Sequence, residues 1–130
     1  MAFRIIVCGS RTWTNRDRIY VDLFSFKHLV PQPAQPVVII HGAAQGADSC
    51  ADSVAQELGL TIESYPADWA RLGKSAGPVR NRMMLSAFPN LVLAYRIMGV
   101  SRGTDDMVAI SQAASVPVRI TYEDGKVEYR

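Results

Sequence analysis

Metal-ligand spacing is missing from this sequence: its two histidines, two cysteines and twelve acidic residues never fall at the short intervals that build a metal centre. Cysteine is too scarce to staple a fold. Cys8 and Cys50 lie far apart among apolar neighbours, and both are expected to be reduced core residues. Charge of one sign is scarce as well, since 14 basic residues face 12 acidic ones. That balance leaves no broad basic face, which argues against nucleic acid as a partner and confines any anion site to a local cluster. No apolar run approaches the roughly 20 residues of a membrane helix. The short apolar start MAFRIIVCGS leads straight into a turn instead of forming a signal-peptide core, so a cytoplasmic location is expected. Neither the Gly-x-Gly-x-x-Gly dinucleotide fingerprint nor a complete phosphate loop ending in Gly-Lys-Ser/Thr occurs, which excludes an ordinary dehydrogenase or nucleotide triphosphatase. Serine-nucleophile chemistry is not expected either.

What is present suits one globular domain over residues 1–130, with 48% hydrophobic and 20% charged residues and a length that buries a core without staples. Phe3 to Cys8 is a β-branched run stopped by Gly9, the mark of a strand buried on both faces. Thr14 is placed to cap a helix in which Ile19, Leu23, Phe26 and Val30 repeat at helical spacing, ending before Pro31 and Pro33. Val37 to His41 repeats the strand pattern, and Ala47, Ala51, Val54 and Leu58 mark a helix closed by Gly59. Thr61 to Tyr65 reads as a third strand. Residues 66–77 show no period and read as a lid-like loop carrying Trp69 and Lys74. A helix follows from Pro78 with Val79, Met83 and Ala87 on one side, then a strand from Leu91 to Tyr95. Thr104 is expected to cap a last helix, before strands at Val118 to Tyr122 and Lys126 to Tyr129 joined by the turn Asp124-Gly125.

Strands alternating with helices imply right-handed crossovers, so the expected fold is α/β: a Rossmann-like three-layer sandwich, its sheet mostly parallel with an antiparallel C-terminal edge hairpin. In such sheets ligands bind beyond the carboxyl ends of the strands. Three loops lie there: Gly9-Ser10-Arg11, the run from Gly42 through Ala43, Gly46 and Ala47 to Asp48, and Ser101-Arg102-Gly103-Thr104. Each pairs small residues with a helix start, where backbone N–H groups and the helix dipole suit a phosphate. Arg11 and Arg80 are the best-placed clamps, Arg80 because Gly77-Pro78-Val79-Arg80-Asn81 opens a helix right after the lid segment; Arg82 is evenly balanced between site and surface. Asp48 has two equal readings, a helix-dipole partner or an acceptor for a ribose hydroxyl. Trp69 suits base stacking or, slightly better, pinning its loop to the core. His41 is read as bonding the neighbouring loop, and His28 as a dipole partner late in its helix.

Together these motifs resemble the SLOG superfamily, named for the DNA-processing protein DprA and the Lonely Guy enzymes, and most of all its small YspA/YpsA-related branch found in bacteria and phages. The matching runs are Gly9-Ser10-Arg11, His41 to Asp48, Pro66-Ala67-Asp68-Trp69, Ala76 to Asn81 and Gly103-Thr104-Asp105-Asp106, in order along nearly the whole chain. The resemblance implies a nucleotide-binding Rossmann-like domain whose partner is a nucleotide-like small molecule, with no cofactor. Lonely Guy enzymes carry a Pro-Gly-Gly-x-Gly-Thr-x-x-Glu loop whose glutamate assists cleavage of a base from ribose phosphate. Here the glutamate position falls on Met107, which is neither acid nor base, and Asp106 points about 100° around the helix from it.

The leading expectation is therefore a binding protein that senses or sequesters a phosphate-bearing, nucleotide-derived ligand, with Trp69 closing over it. The first alternative is a hydrolase of the nucleotide N-glycosidic bond, with Asp48 or Asp106 stabilising the sugar cation and Arg80 holding phosphate. The second is single-stranded nucleic-acid binding, which the near-neutral charge opposes. A homo-oligomer pairing through Met83/Met84 or Phe24/Phe26 is compatible with the sequence, although core packing accounts for both pairs more simply.

Overall fold

The computed structural model describes residues 2–28 and 35–130. Six strands form one sheet: β1 (Phe3–Gly9), β2 (Val37–His41), β3 (Thr61–Ser64), β4 (Leu91–Arg96), β5 (Val118–Tyr122) and β6 (Val127–Tyr129). Their order across the sheet is β3-β2-β1-β4-β5-β6. All neighbours run parallel except β5 and β6, where Arg119 opposes Tyr129 and Thr121 opposes Val127. The expected Rossmann-like sandwich and its antiparallel edge are thus both present. Because β2 and β4 flank β1 on opposite sides, the chain reverses its winding direction between them. The loops leaving β1 and β4 therefore diverge and open a crevice, as they do at the switch point of doubly wound sheets.

The helices are α1 (Arg16–His28), α2 (Ala47–Leu58), the single turn α3 (Trp69–Leu72), α4 (Ala76–Leu85) and α5 (Arg102–Ala113). Along the central strands successive buried side chains point to opposite faces of the sheet. Ile5, Val7, Ile39, Leu93 and Tyr95 pack under α1 and α2, whereas Ile6, Cys8, Ile40, Val92 and Ala94 pack with Met84 and Met107 on the other face. Buried on both sides, these strands read as unbroken apolar runs. Among the described residues, no helix is long and apolar enough to cross a membrane.

Several local expectations change. Thr14 does not cap α1; Asn15 does, its Oδ1 accepting the Arg18 N–H at 3.1 Å. Thr104 lies inside the first turn of α5, and Ser101 holds the N-cap position. Residues 66–77 are not an irregular lid. Asp68 accepts the Arg71 N–H and opens α3, a 3-10 turn follows over Gly73–Ser75, and α4 then begins at Ala76. A four-residue turn is too short to display a helical period. Strand β3 stops one residue early, at Ser64, and the expected end of α1 before Pro31 and Pro33 lies outside the described residues. Cys8 is buried as expected, but Cys50 is only half-buried; both are free thiols. The two candidate pairing surfaces each split, since Met84 is 2% exposed against 53% for Met83, and Phe26 packs on the core while Phe24 is exposed.

The glycine closing β1 is required by packing. A Cβ on Gly9 would stand 2.3 Å from the Tyr95 carbonyl oxygen and 2.6 Å from the Ala47 Cβ. Only glycine lets β4 and the start of α2 approach β1 together.

Candidate functional site

A cleft of about 470 Å³ opens at the carboxyl ends of β1 and β4, a volume within the range of small-molecule sites. The loop after β1, the start of α4 and the start of α5 enclose it, and Asp48 reaches it from α2. Of the residues singled out from sequence, Gly9, Ser10, Arg11, Asp48, Trp69, Arg80, Asn81, Ser101, Gly103, Thr104 and Asp106 all line this cleft. Gly42 and Ala43 line an adjoining cleft of about 330 Å³. Gly46 and Ala47 border neither.

The three loops are not equivalent. Around Gly42 to Asp48 four amides, those of Gly42, Ala43, Ala44 and Ala47, are already used: the Asp48 Oδ2 accepts the N–H groups of Gly42 at 3.0 Å and Ala44 at 3.2 Å. The Ala43 N–H donates to His41 Nδ1 and that of Ala47 to the Ser10 carbonyl. Asp48 thus supplies from within the protein the negative charge that such a loop would otherwise seek. Burial raises its carboxyl above the usual range, with the Ala44 amide and the Arg80 charge among the opposing influences. His41 accepts at Nδ1, which leaves its proton on Nε2 to meet Asp52 at 2.7 Å. It is a buried strut for this loop, in keeping with its structural reading.

The start of α5 is different. Its first backbone bond runs from the Asp105 N–H to the Ser101 carbonyl at 2.9 Å. Among the described residues, no acceptor meets the N–H groups of Gly103 and Thr104. Gly103 has open space where a side chain would begin. Side chains hold this turn in place: Ser101 Oγ donates to Thr104 at 2.9 Å and pairs with Ser10 Oγ at 3.1 Å, while Ser10 Oγ also accepts the Ile97 N–H. These hydroxyls position the loops, and the backbone is what remains free.

Asn81, 3% exposed, joins the parts. Its Nδ2 donates to the Gly103 carbonyl at 3.1 Å and to Asp106 at 2.9 Å, and its Oδ1 accepts from Arg80 Nε at 3.1 Å. Arg80 also donates through Nη1 to the Gly42 carbonyl. Burial depresses its pKa, countered by Asp48 and reinforced by Arg11. Arg11 lies over the Trp69 ring, 5.5 Å from its centre. Trp69 is 48% exposed, so it does not pin its loop into the core.

Two further cations line the cleft, Lys74 and Arg102. Lys74 stood out in sequence only as part of its segment, and Arg102 only as a loop member. The signal for Arg102 is electrostatic: a cation in the first turn of a helix opposes the dipole, which favours an anion between them. Met107 is fully buried in the core, whereas its neighbour Asp106 lines the cleft, so the helix turns the glutamate position of the Lonely Guy loop inward. Gly73-Lys74-Ser75-Ala76-Gly77 does match the spacing of a serine-nucleophile elbow. It follows no strand, however, and Ser75 Oγ donates to the Leu72 carbonyl, so the strand-turn-helix context of such an elbow is absent.

Fold and cleft together define a Rossmann-like protein with its crevice at the sheet's switch point. The pattern of the YspA, cpYpsA-related SLOG family matches residues 3–72. The chain is also 35% identical over 120 residues to the "Gene 61 protein" of Mycobacterium phage D29, covering 88% of this chain and 93% of that protein. The chain belongs to the YspA, cpYpsA-related SLOG family.

Proposed function

We propose that the protein binds a nucleotide-derived, phosphate-bearing small molecule in the cleft between β1 and β4, and releases it unchanged. The observation that carries this reading is the start of α5: two backbone N–H groups without acceptors among the described residues, on a cleft that also carries Arg11, Lys74, Arg80 and Arg102. Phosphate matches that donor set, because aligned amides and guanidinium groups both favour a compact, multiply charged oxyanion. Apolar groups in the same cleft, among them Trp69, Ile97 and Val100, suit the base. Membership of the SLOG family supports a nucleotide-related ligand.

Asp106 favours a second reading, hydrolysis of an N-glycosidic bond. Asn81 orients its Oδ2, and Asp106 lines the cleft while Asp48 is committed to the Gly42 and Ala44 amides. A carboxylate so held suits stabilisation of a sugar cation.

Thermal stabilisation against nucleoside mono-, di- and triphosphates, nucleotide sugars and cyclic nucleotides, with mass spectrometry of each mixture, separates the two. A stabilisation lost in Arg11→Ala and Arg80→Ala, with the nucleotide recovered intact, supports binding. Free base in the products, lost in Asp106→Asn, supports hydrolysis. No stabilisation and no product with any nucleotide would overturn both.

A further inference from the structure

The wall between the two clefts is built from Arg11, Ala44, Trp69 and Arg80, which line both of them. Both of its charged members are cations. Arg80 commits Nε to Asn81 and Nη1 to Gly42, and its Nη2 has no partner among the described residues. The Arg11 guanidinium lies over the Trp69 ring and makes no hydrogen bond or ion pair among the described residues. The wall is therefore a second place for an anion, next to the free amides of α5. Asn81 ties the two places together: its carboxamide accepts from Arg80 Nε on one side and donates to the Gly103 carbonyl on the other. The residues that carry the free donors are thus joined through one side chain, an arrangement that suits two phosphates sharing a bridging oxygen.

Beyond the wall the character changes. The smaller cleft is lined by Gly42, Ala43, Gln45, Pro66 and Ala67, and apart from the shared arginines it carries no charged side chain. Small side chains, exposed backbone and one carboxamide suit a neutral polar group such as a sugar, and offer nothing to a third phosphate. Building on the nucleotide-binding reading, we propose that the natural ligand is a diphosphate diester. Its diphosphate lies between the α5 amides and the Arg11/Arg80 wall, its nucleoside occupies the larger cleft, and its second arm crosses into the smaller one. Gly42 belongs to the same device, since a Cβ there would stand 2.2 Å from Arg80 Nη1 and push the guanidinium off the wall.

The test is calorimetric titration of the whole chain with AMP, GMP, UMP and CMP, and with ADP-ribose, GDP-mannose, UDP-glucose and CDP-glucose. The diester of the preferred base is expected to bind at least roughly tenfold tighter than its monophosphate, and Ala67→Trp, which fills the smaller cleft, is expected to erase most of that gain. Equal affinities for monophosphate and diester, or a diester gain that survives Ala67→Trp, would overturn the proposal while leaving nucleotide binding intact. If none of the eight compounds bound, the proposal and the nucleotide reading would fall together.

Discussion

Replacing Gly9 with alanine tests whether the floor of the cleft is as tightly built as described. The added methyl would meet the Tyr95 carbonyl oxygen at 2.3 Å and the Ala47 Cβ at 2.6 Å. Neither can swing away like a long side chain: Tyr95 belongs to β4, and the Ala47 N–H is bonded to the Ser10 carbonyl at 3.3 Å. Relief requires β1 to part from β4 or from α2, with Ser10 and its hydrogen bonds carried along. Overpacking of this kind costs about 1–3 kcal/mol, and two immovable neighbours place this site near the upper end. For a chain of this size about 3 kcal/mol lowers the melting temperature by roughly 10 °C. Thermal and urea denaturation followed by circular dichroism measure it, with an unchanged urea slope showing that stability rather than compactness has changed. A variant melting within about 2 °C of the parent would refute the claimed close approach.

Three further outcomes are expected. Gly103→Ala should leave stability unchanged or raise it by up to about 1 kcal/mol, because alanine is the better helix former and its methyl meets nothing within 4 Å; calorimetry should nevertheless show nucleotide affinity falling severalfold, since that methyl stands at the free amides. Asp48→Ala, which strands the Gly42 and Ala44 N–H groups, should destabilise by about 1–3 kcal/mol, whereas Asp48→Asn retains an acceptor and should cost less; equal losses in urea melts would refute the bracing role. Glu63 lies below the ordinary 4.5 because Arg4 hydrogen-bonds its carboxylate, so the contribution of the pair is fully present above that value and disappears as pH falls through the lowered one. Melts from neutral to acid pH should therefore show a shallower acid loss in Glu63→Gln than in the parent.

The layers of the fold were legible because β-branched runs such as Val37 to His41 and apolar repeats such as Ala47, Ala51, Val54 and Leu58 carry different periods. The Asp124-Gly125 turn likewise announced the antiparallel edge. Capping was less legible, since Thr14 and Asn15, or Ser101 and Thr104, are equally able acceptors in sequence, and only the backbone path selects between them. In the cleft, residue positions were legible but roles were not. Asp48 carries the same letter whether it meets a ribose or its own loop, and the choice was made by the fold, which turned its carboxylate onto Gly42 and Ala44. Asn81 illustrates the reverse. Its side chain links Arg80, Gly103 and Asp106, residues up to 25 positions away, and no local pattern encodes such a link.

The most direct test of the central claim is a nitrogen-15 NMR titration with the nucleotide that stabilises the protein most. The N–H resonances of Gly103 and Thr104 should move strongly and saturably, while those of Gly42 and Ala44, already bonded to Asp48, should move little. Large shifts confined to residues 42–46, or none at the start of α5, would contradict the placement of the phosphate.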